Sequence, residues 1–264
     1  MSAFSELDRE AMQRALTLAE RGLASTDPNP RVGCVIAQGE RIVGEGWHER
    51  AGEVHAEVMA LEAAGAQAAG ATVYVTLEPC SHHGRTPPCV EALLRARVAR
   101  VVFAATDPNP EVNGRGAAAL RAGGVAVEGG LLEHEALELN CGFAKRMREG
   151  RPWVRLKLGM SLDGRTALAT GESRWITGEA AREDVQHWRA RSSAILTGIG
   201  TVLADDPRLD VRLPAEAAGQ PGTAAESPRQ PLRVVLDSHL RTPPGARLLT
   251  GGGVRRWQIG RAHV

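Results

Sequence analysis

Three short segments of this 264-residue chain carry side chains that can hold a metal, and the fold has to bring them to one point. They are His55-Ala56-Glu57, Pro79-Cys80 and Cys89, the last after the eight-residue loop SHHGRTPP. One imidazole and two thiolates form a ligand set for zinc that leaves a fourth position open, as a catalytic site needs. Cys89 is the expected third ligand, because thiolate pairs are the commoner partners in such sets. His82 and His83 are its rivals. A loop of that length can still return a thiolate to the metal, with Pro87-Pro88 stiffening the return.

The segments between these residues set the layers. Leu7, Met12, Ala15, Leu16, Ala19 and Leu23 recur at helical spacing over 6–23. Asp27-Pro28-Asn29-Pro30 then breaks the helix. Val32–Ile36 and Arg41–Gly46 read as strands, 54–64 as a helix, TVYVTL at 72–77 as a strand and 89–97 as a helix. A buried strand at 100–105, a helix at 115–122, a strand at 125–128 and a charged helical stretch at 130–149 complete the first half. Strands alternating with helices predict an α/β sandwich on a mostly parallel sheet. Gly150-Arg151-Pro152 marks a boundary, which predicts domains at 1–148 and 149–258. Beyond it the sequence predicts a strand over WVRLKLGM (153–160), a helix over 179–191, a strand AILTG (194–198), a surface loop over 214–230 and a strand over 232–238. The glycine-rich junction at 198–201 is where backbone N–H groups can meet a phosphate, but such junctions are mostly tight turns. Residues 259–264 match the translation of a sequencing-library adapter and are expected to be a non-native tail.

Composition narrows the function. A formal net charge of +1 and only 3% aromatic residues leave neither a basic field nor stacking platforms for nucleic acid. No apolar run approaches the roughly 20 residues of a membrane span. Four unevenly spaced cysteines do not make a secreted disulfide framework, so a reducing compartment, the cytoplasm, is expected. Cys34 and Cys141 read as buried small hydrophobes. A small-molecule substrate is expected, with no nucleic acid and no membrane.

H-A-E followed by P-C and a further cysteine follows the zinc-deaminase pattern, with the last spacing lengthened. The chemistry explains the residue types. Zinc makes hydroxide available near neutral pH. A carboxylate that is not a ligand, here Glu57, moves protons to the ring nitrogen and the departing ammonia. Two other readings fit these residues: a deaminase acting on nucleic acids or nucleosides, and a zinc module without catalysis.

PCSHHGRTPPC is far more specific than the general pattern. Together with DPNPRVGCVI, GWHERAGEVHAE and LKLGMSLDGRTA, it resembles the bifunctional deaminase–reductase family of riboflavin biosynthesis, from residue 7 to about 240. The resemblance implies a cytidine-deaminase-like α/β/α sandwich followed by a truncated dihydrofolate-reductase-like α/β domain. It implies one Zn2+ per chain and NADPH as cofactors, and a homo-oligomer at full length. The implied substrate is 2,5-diamino-6-(5-phosphoribosylamino)pyrimidin-4-one, held by Asn29, His48 and His83. In the second half it implies Gly159, Trp175, Thr201, Asp205 and Ser238 at the cofactor. It also implies Lys157, Ser173, Arg189, Leu209 and Arg212 at the substrate. The family's later glycine-rich segment has no counterpart before the tail, so deamination with poor reduction is expected.

Overall fold

The computed structural model describes residues 4–82, 87–173, 175–214 and 228–250, and the backbone of 256–259. Helix α1 (Glu6–Glu20) starts where Ser5 supplies a cap. The Ser5 hydroxyl accepts from Asp8 N at 3.1 Å, and Ser5 N donates to Asp8 Oδ2 at 2.9 Å. Each side chain thereby satisfies an amide that the helix leaves unpaired.

Five strands follow: β1 (Gly33–Gln38), β2 (Arg41–Trp47), β3 (Thr72–Leu77), β4 (Arg100–Ala105) and β5 (Ala126–Gly129). They form one sheet in the order β2-β1-β3-β4-β5. β1 runs antiparallel to β2 and β3, whereas β3, β4 and β5 are mutually parallel. The sheet is therefore mixed, not mostly parallel as its sequence suggested. The cause is local: only Gly39-Glu40 separates β1 from β2, and so short a link joins antiparallel strands only. Gly39 takes φ +59°, which that tight turn requires.

Alternation along the strands sorts the core onto two faces. Cys34, Ile36, Val73, Val75, Val101 and Phe103 meet α2 (Ala56–Ala64), α3 (Cys89–Arg95) and α4 (Arg115–Ala122). Val35, Tyr74, Val102 and Ala104 meet α1 and α5 (Glu133–Leu139) on the other side. Helix α6 (Cys141–Glu149) follows α5 directly, after Asn140. The result is a three-layered sandwich. Cys34 is fully buried in it, but Cys141, expected to be buried, is only half-buried at the start of α6.

The chain divides into two units, Met1–Val154 and Arg155–Val264. The second contains α7 (Glu179–Ala190), α8 (Ile199–Asp205) and a three-stranded parallel sheet, in the order β6 (Ala194–Gly198), β7 (Leu232–Leu236) and β8 (Arg256–Ile259). The sequence reading did not anticipate β8. The strand expected over 153–160 does not form, and Leu156 is 80% exposed. Its alternation is that of a strand, but an extended segment becomes one only when a neighbour takes up its backbone N–H and C=O groups. Most of the polar loop expected at 214–230 lies outside the described residues, as do 260–264.

Candidate metal centre and substrate pocket

The centre lies beyond the carboxyl ends of β3 and β4. There the sheet changes from antiparallel to parallel pairing, the place where α/β sheets leave a crevice. Each of the three expected ligands comes from a different element. His55 is the residue that begins α2, Cys80 follows β3 through Glu78-Pro79, and Cys89 opens α3. Helix α2 reaches the sheet closely because β2 carries glycines at 44 and 46, where it meets the helix backbone. A Cβ on Gly44 would lie 2.2 Å from Ala60 O, and one on Gly46 would lie 2.5 Å from Ala56 O.

The ligand atoms of His55, Cys80 and Cys89 all fall within 4.8 Å of one another. His55 Nδ1 is 3.1 Å from Cys89 Sγ and 3.6 Å from Cys80 Sγ. A tetrahedral zinc with ordinary bond lengths would set a nitrogen and a sulfur ligand about 3.6 Å apart, so the donors present fit that ion. Cys89 N also donates to Cys80 Sγ at 3.3 Å. The Cys89 thiol's bond, with help from His55, brings Cys80 down to about 4, and the same pairing with burial raises Cys89. Cys80's bond outweighs burial and raises His55. His82 lines the same cavity but is not one of this close trio, and its buried Nδ1 has no hydrogen-bond partner among the described residues. His83 lies outside the described residues.

Glu57 sits in the first turn of α2, only 4% exposed. Burial, with the Cys80 thiolate nearby, pushes its carboxyl above the usual carboxylate range. That is the direction a proton carrier working near neutral pH needs. The cavity above it, about 300 Å³, is lined by Asn29, His48, Glu57 and Asp107 among others. His48 Nδ1 is 3.0 Å from Val54 O and its Nε2 is 3.1 Å from Asn29 Nδ2. With the proton on Nδ1 donated to that carbonyl, Nε2 accepts from the Asn29 amide. Burial lowers the pKa of His48, which keeps the ring neutral.

Residues that the sequence reading did not single out frame this pocket. Asn140 Oδ1 accepts from Arg31 N at 2.7 Å, and its Nδ2 donates to Arg31 O at 2.8 Å, pinning the loop that carries Asn29. Buried Glu78 accepts from Asp107 N, Gly114 N and Ala117 N at 3.3, 2.8 and 3.0 Å. It thereby ties the Cys80 segment to the turn Asp107-Pro108-Asn109-Pro110, which repeats the Asp-Pro-Asn-Pro of 27–30. Burial, helped by the Glu78 and Cys80 charges, raises Asp107 to about 6. The repeated turn was visible in the sequence, but its link to Glu78 spans 29 residues and no local signal reports it.

In the second unit the expected residues are less gathered. Arg189 Nη1 donates to Asp210 O at 3.0 Å and Arg212 Nη1 to Asp210 Oδ1 at 2.9 Å, so the two arginines converge on one residue. Buried Leu209 beside it takes φ +55°, an uncommon backbone for leucine. Thr201 and Asp205 lie on α8, and Ser238 follows β7. Lys157, Gly159, Ser173 and Trp175 stand in a stretch with neither helix nor strand, and Arg182 covers the Trp175 ring at 4.5 Å.

Comparison with known proteins decides the family. The riboflavin biosynthesis protein RibD of Escherichia coli (strain K12) is 57% identical over 247 residues, which are 93% of this chain and 67% of that protein. The chain belongs to the RibD family of riboflavin biosynthesis proteins. Two family models agree: "Cytidine and deoxycytidylate deaminase zinc-binding region" matches residues 5–105, and "RibD C-terminal domain" matches 152–260. Among solved structures, Acinetobacter baumannii RibD (form 1) superposes with a TM-score of 0.88 at 53% identity, over 97% of this chain and 70% of that one. A Thermotoga maritima protein, a diaminohydroxyphosphoribosylaminopyrimidine deaminase/5-amino-6-(5-phosphoribosylamino)uracil reductase, gives 0.85 at 38% identity, over 96% and 69%. The chain thus spans about two thirds of the length of these RibD proteins. As a RibD protein it is an enzyme of riboflavin biosynthesis, with a zinc-binding deaminase half and a reductase half of the dihydrofolate-reductase-like class.

Proposed function

We propose that the first half, 1–148, removes the ring amino group of 2,5-diamino-6-(5-phosphoribosylamino)pyrimidin-4-one by hydrolysis. The observation that carries this is the convergence of His55, Cys80 and Cys89 beside a buried Glu57. These three residues would hold one Zn2+. When bound, zinc lowers the pKa of water so that hydroxide is available near neutral pH. Glu57 accepts the proton that water gives up and passes protons to the ring nitrogen and the leaving amine. A C–O bond forms, the C–N bond breaks, and the products are a ring carbonyl and ammonia. Asn29 and His48 orient the ring by hydrogen bonds, with His83 as their partner by family resemblance. A non-catalytic zinc module would have no use for a buried carboxylate aimed at such a cavity.

The test is ammonia release from the diaminopyrimidine phosphate with zinc measured in parallel. Glu57→Gln is expected to lower kcat by about 10²–10⁴-fold while zinc content stays at one per chain. Unchanged turnover in that variant would remove Glu57 from the mechanism.

The second half, 149–258, is read as the NADPH-dependent reductase. Gly159, Trp175, Thr201, Asp205 and Ser238 would bind the cofactor. Lys157, Ser173, Arg189, Leu209 and Arg212 would bind the substrate, with the two arginines taking phosphate. Lys157 and Gly159 are carried on a largely exposed stretch that no strand holds among the described residues, and this favours slow reduction. NADPH oxidation with the deaminated substrate, at a rate matching deamination, would contradict that. By resemblance the full-length protein works as a homo-oligomer in the cytoplasm, which sedimentation and cell fractionation would test.

A further inference from the structure

The cavity at the metal centre is acidic, yet the proposed substrate ends in a phosphate. Its described lining carries Glu53, Glu57, Glu78 and Asp107, and Arg146 is the one permanently charged cation among them. Arg146 lies on the last turn of α6, exposed, whereas the floor residue Glu57 is buried. It is not left to wave in solvent. Its Nη2 donates to Pro28 O at 3.0 Å, and its guanidinium lies 5.9 Å from the centre of the Phe143 ring, another lining residue.

A cation in the last turn of a helix is usually accounted for by the helix dipole. Arg148 shares that turn and does not line the cavity, so the dipole explains both arginines but not the docking of Arg146 alone. One bond to a backbone carbonyl occupies one of the five N–H donors of a guanidinium and tethers the group beside the cavity. The remaining donors suit a phosphate oxygen pair.

We propose that Arg146 is the residue that reads the substrate's phosphate monoester at the rim, while the ring sits on the floor over His55, Cys80 and Cys89. This rests on the deaminase reading above. It makes Arg146 a determinant of specificity for the phosphorylated compound over the free riboside, and gives it no part in proton transfer.

The test compares the zinc-loaded full chain and its variants on the diaminopyrimidine ribosyl phosphate and on the dephosphorylated riboside. Arg146→Ala is expected to raise KM for the phosphate about 10- to 100-fold, the worth of a charge-assisted hydrogen bond, with kcat nearly unchanged. The riboside should respond little to the substitution. Arg146→Lys should recover most of the loss, added salt should shrink it, and Arg148→Ala should leave both substrates unaffected. An equal loss on both substrates would overturn the proposal, since it would mean that Arg146 only staples α6 to Pro28. So would no loss on either. If the unaltered chain releases no ammonia from either compound, the deaminase reading itself fails, and that result is distinct from the others.

Discussion

Asp8 is the polar residue on which the first unit's packing depends. It lies on the buried face of α1, 4% exposed, and its carboxylate accepts from Ser5 N, from the Tyr74 hydroxyl at 2.8 Å and from Arg100 Nη1 at 2.6 Å. Burial alone would raise its pKa, but the bonds from Arg100, Ser5 and Tyr74 outweigh it and hold the carboxyl well below the usual range. The sign follows from linkage: a depressed folded-state pKa contributes stability above the unfolded value, and that stability is lost as pH falls through the folded one. Asp8→Asn is therefore expected to cost about 2–4 kcal/mol at pH 7, since it leaves Arg100 and Tyr74 short of a partner. The gap to the unaltered protein should narrow below about pH 4, where unfolded Asp8 is protonated. Urea unfolding at pH 7 and pH 3 checks this; a gap that widens in acid contradicts it. Nothing local in the sequence marks the long-range role of this residue, because Tyr74 and Arg100 stand 66 and 92 positions away. The convergence of His55, Cys80 and Cys89, separated by 25 and 9 positions, was legible for the opposite reason. Their residue types are scarce, and their chemistry demands that they meet.

At the scale of elements, the pairing of α2 with β2 places His55 and Glu57. The bare face at Gly44 and Gly46 lets the helix backbone come so near that any side chain there would have to push it away. Gly46→Ala is expected to destabilise the unit by about 1–3 kcal/mol and to move His55 and Glu57 off the two thiolates. Zinc content and thermal unfolding measured together would check it, and a variant that keeps both intact would contradict it. Asn140→Ala should act more gently. It removes both bonds to Arg31, raises KM through Asn29 and leaves zinc in place, with a stability loss of about 1–3 kcal/mol. Periodicity and turn residues made most of these elements readable: the expected helices at 54–64 and 179–191 appear as Ala56–Ala64 and Glu179–Ala190. What periodicity does not carry is direction and partnership. It suggested a mostly parallel sheet although β1 and β2 form a hairpin, and it made a strand of 153–160 although nothing described pairs with it.

For the molecule as a whole, the contrast lies between a first unit whose strands are packed on both faces and the open row at the start of the second. Leu156, Leu158 and Met160 are each more than half exposed. Leu156→Glu with Leu158→Glu should then cost under about 0.5 kcal/mol, as surface changes do, and should raise solubility. A large loss in urea unfolding would mean that the row is covered in solution. The metal centre bears on the molecule differently. His55, Cys80 and Cys89 close stretches of 25 and 9 residues between a helix start, a strand end and a second helix. An ion gripping all three acts as a clasp on the folded chain and is absent from the unfolded one, so its binding energy is folding energy. Chelation should lower Tm and speed proteolytic clipping of the first unit even with no substrate present. How long the enzyme persists would then follow the supply of zinc, and scarcity would remove the protein as well as its activity.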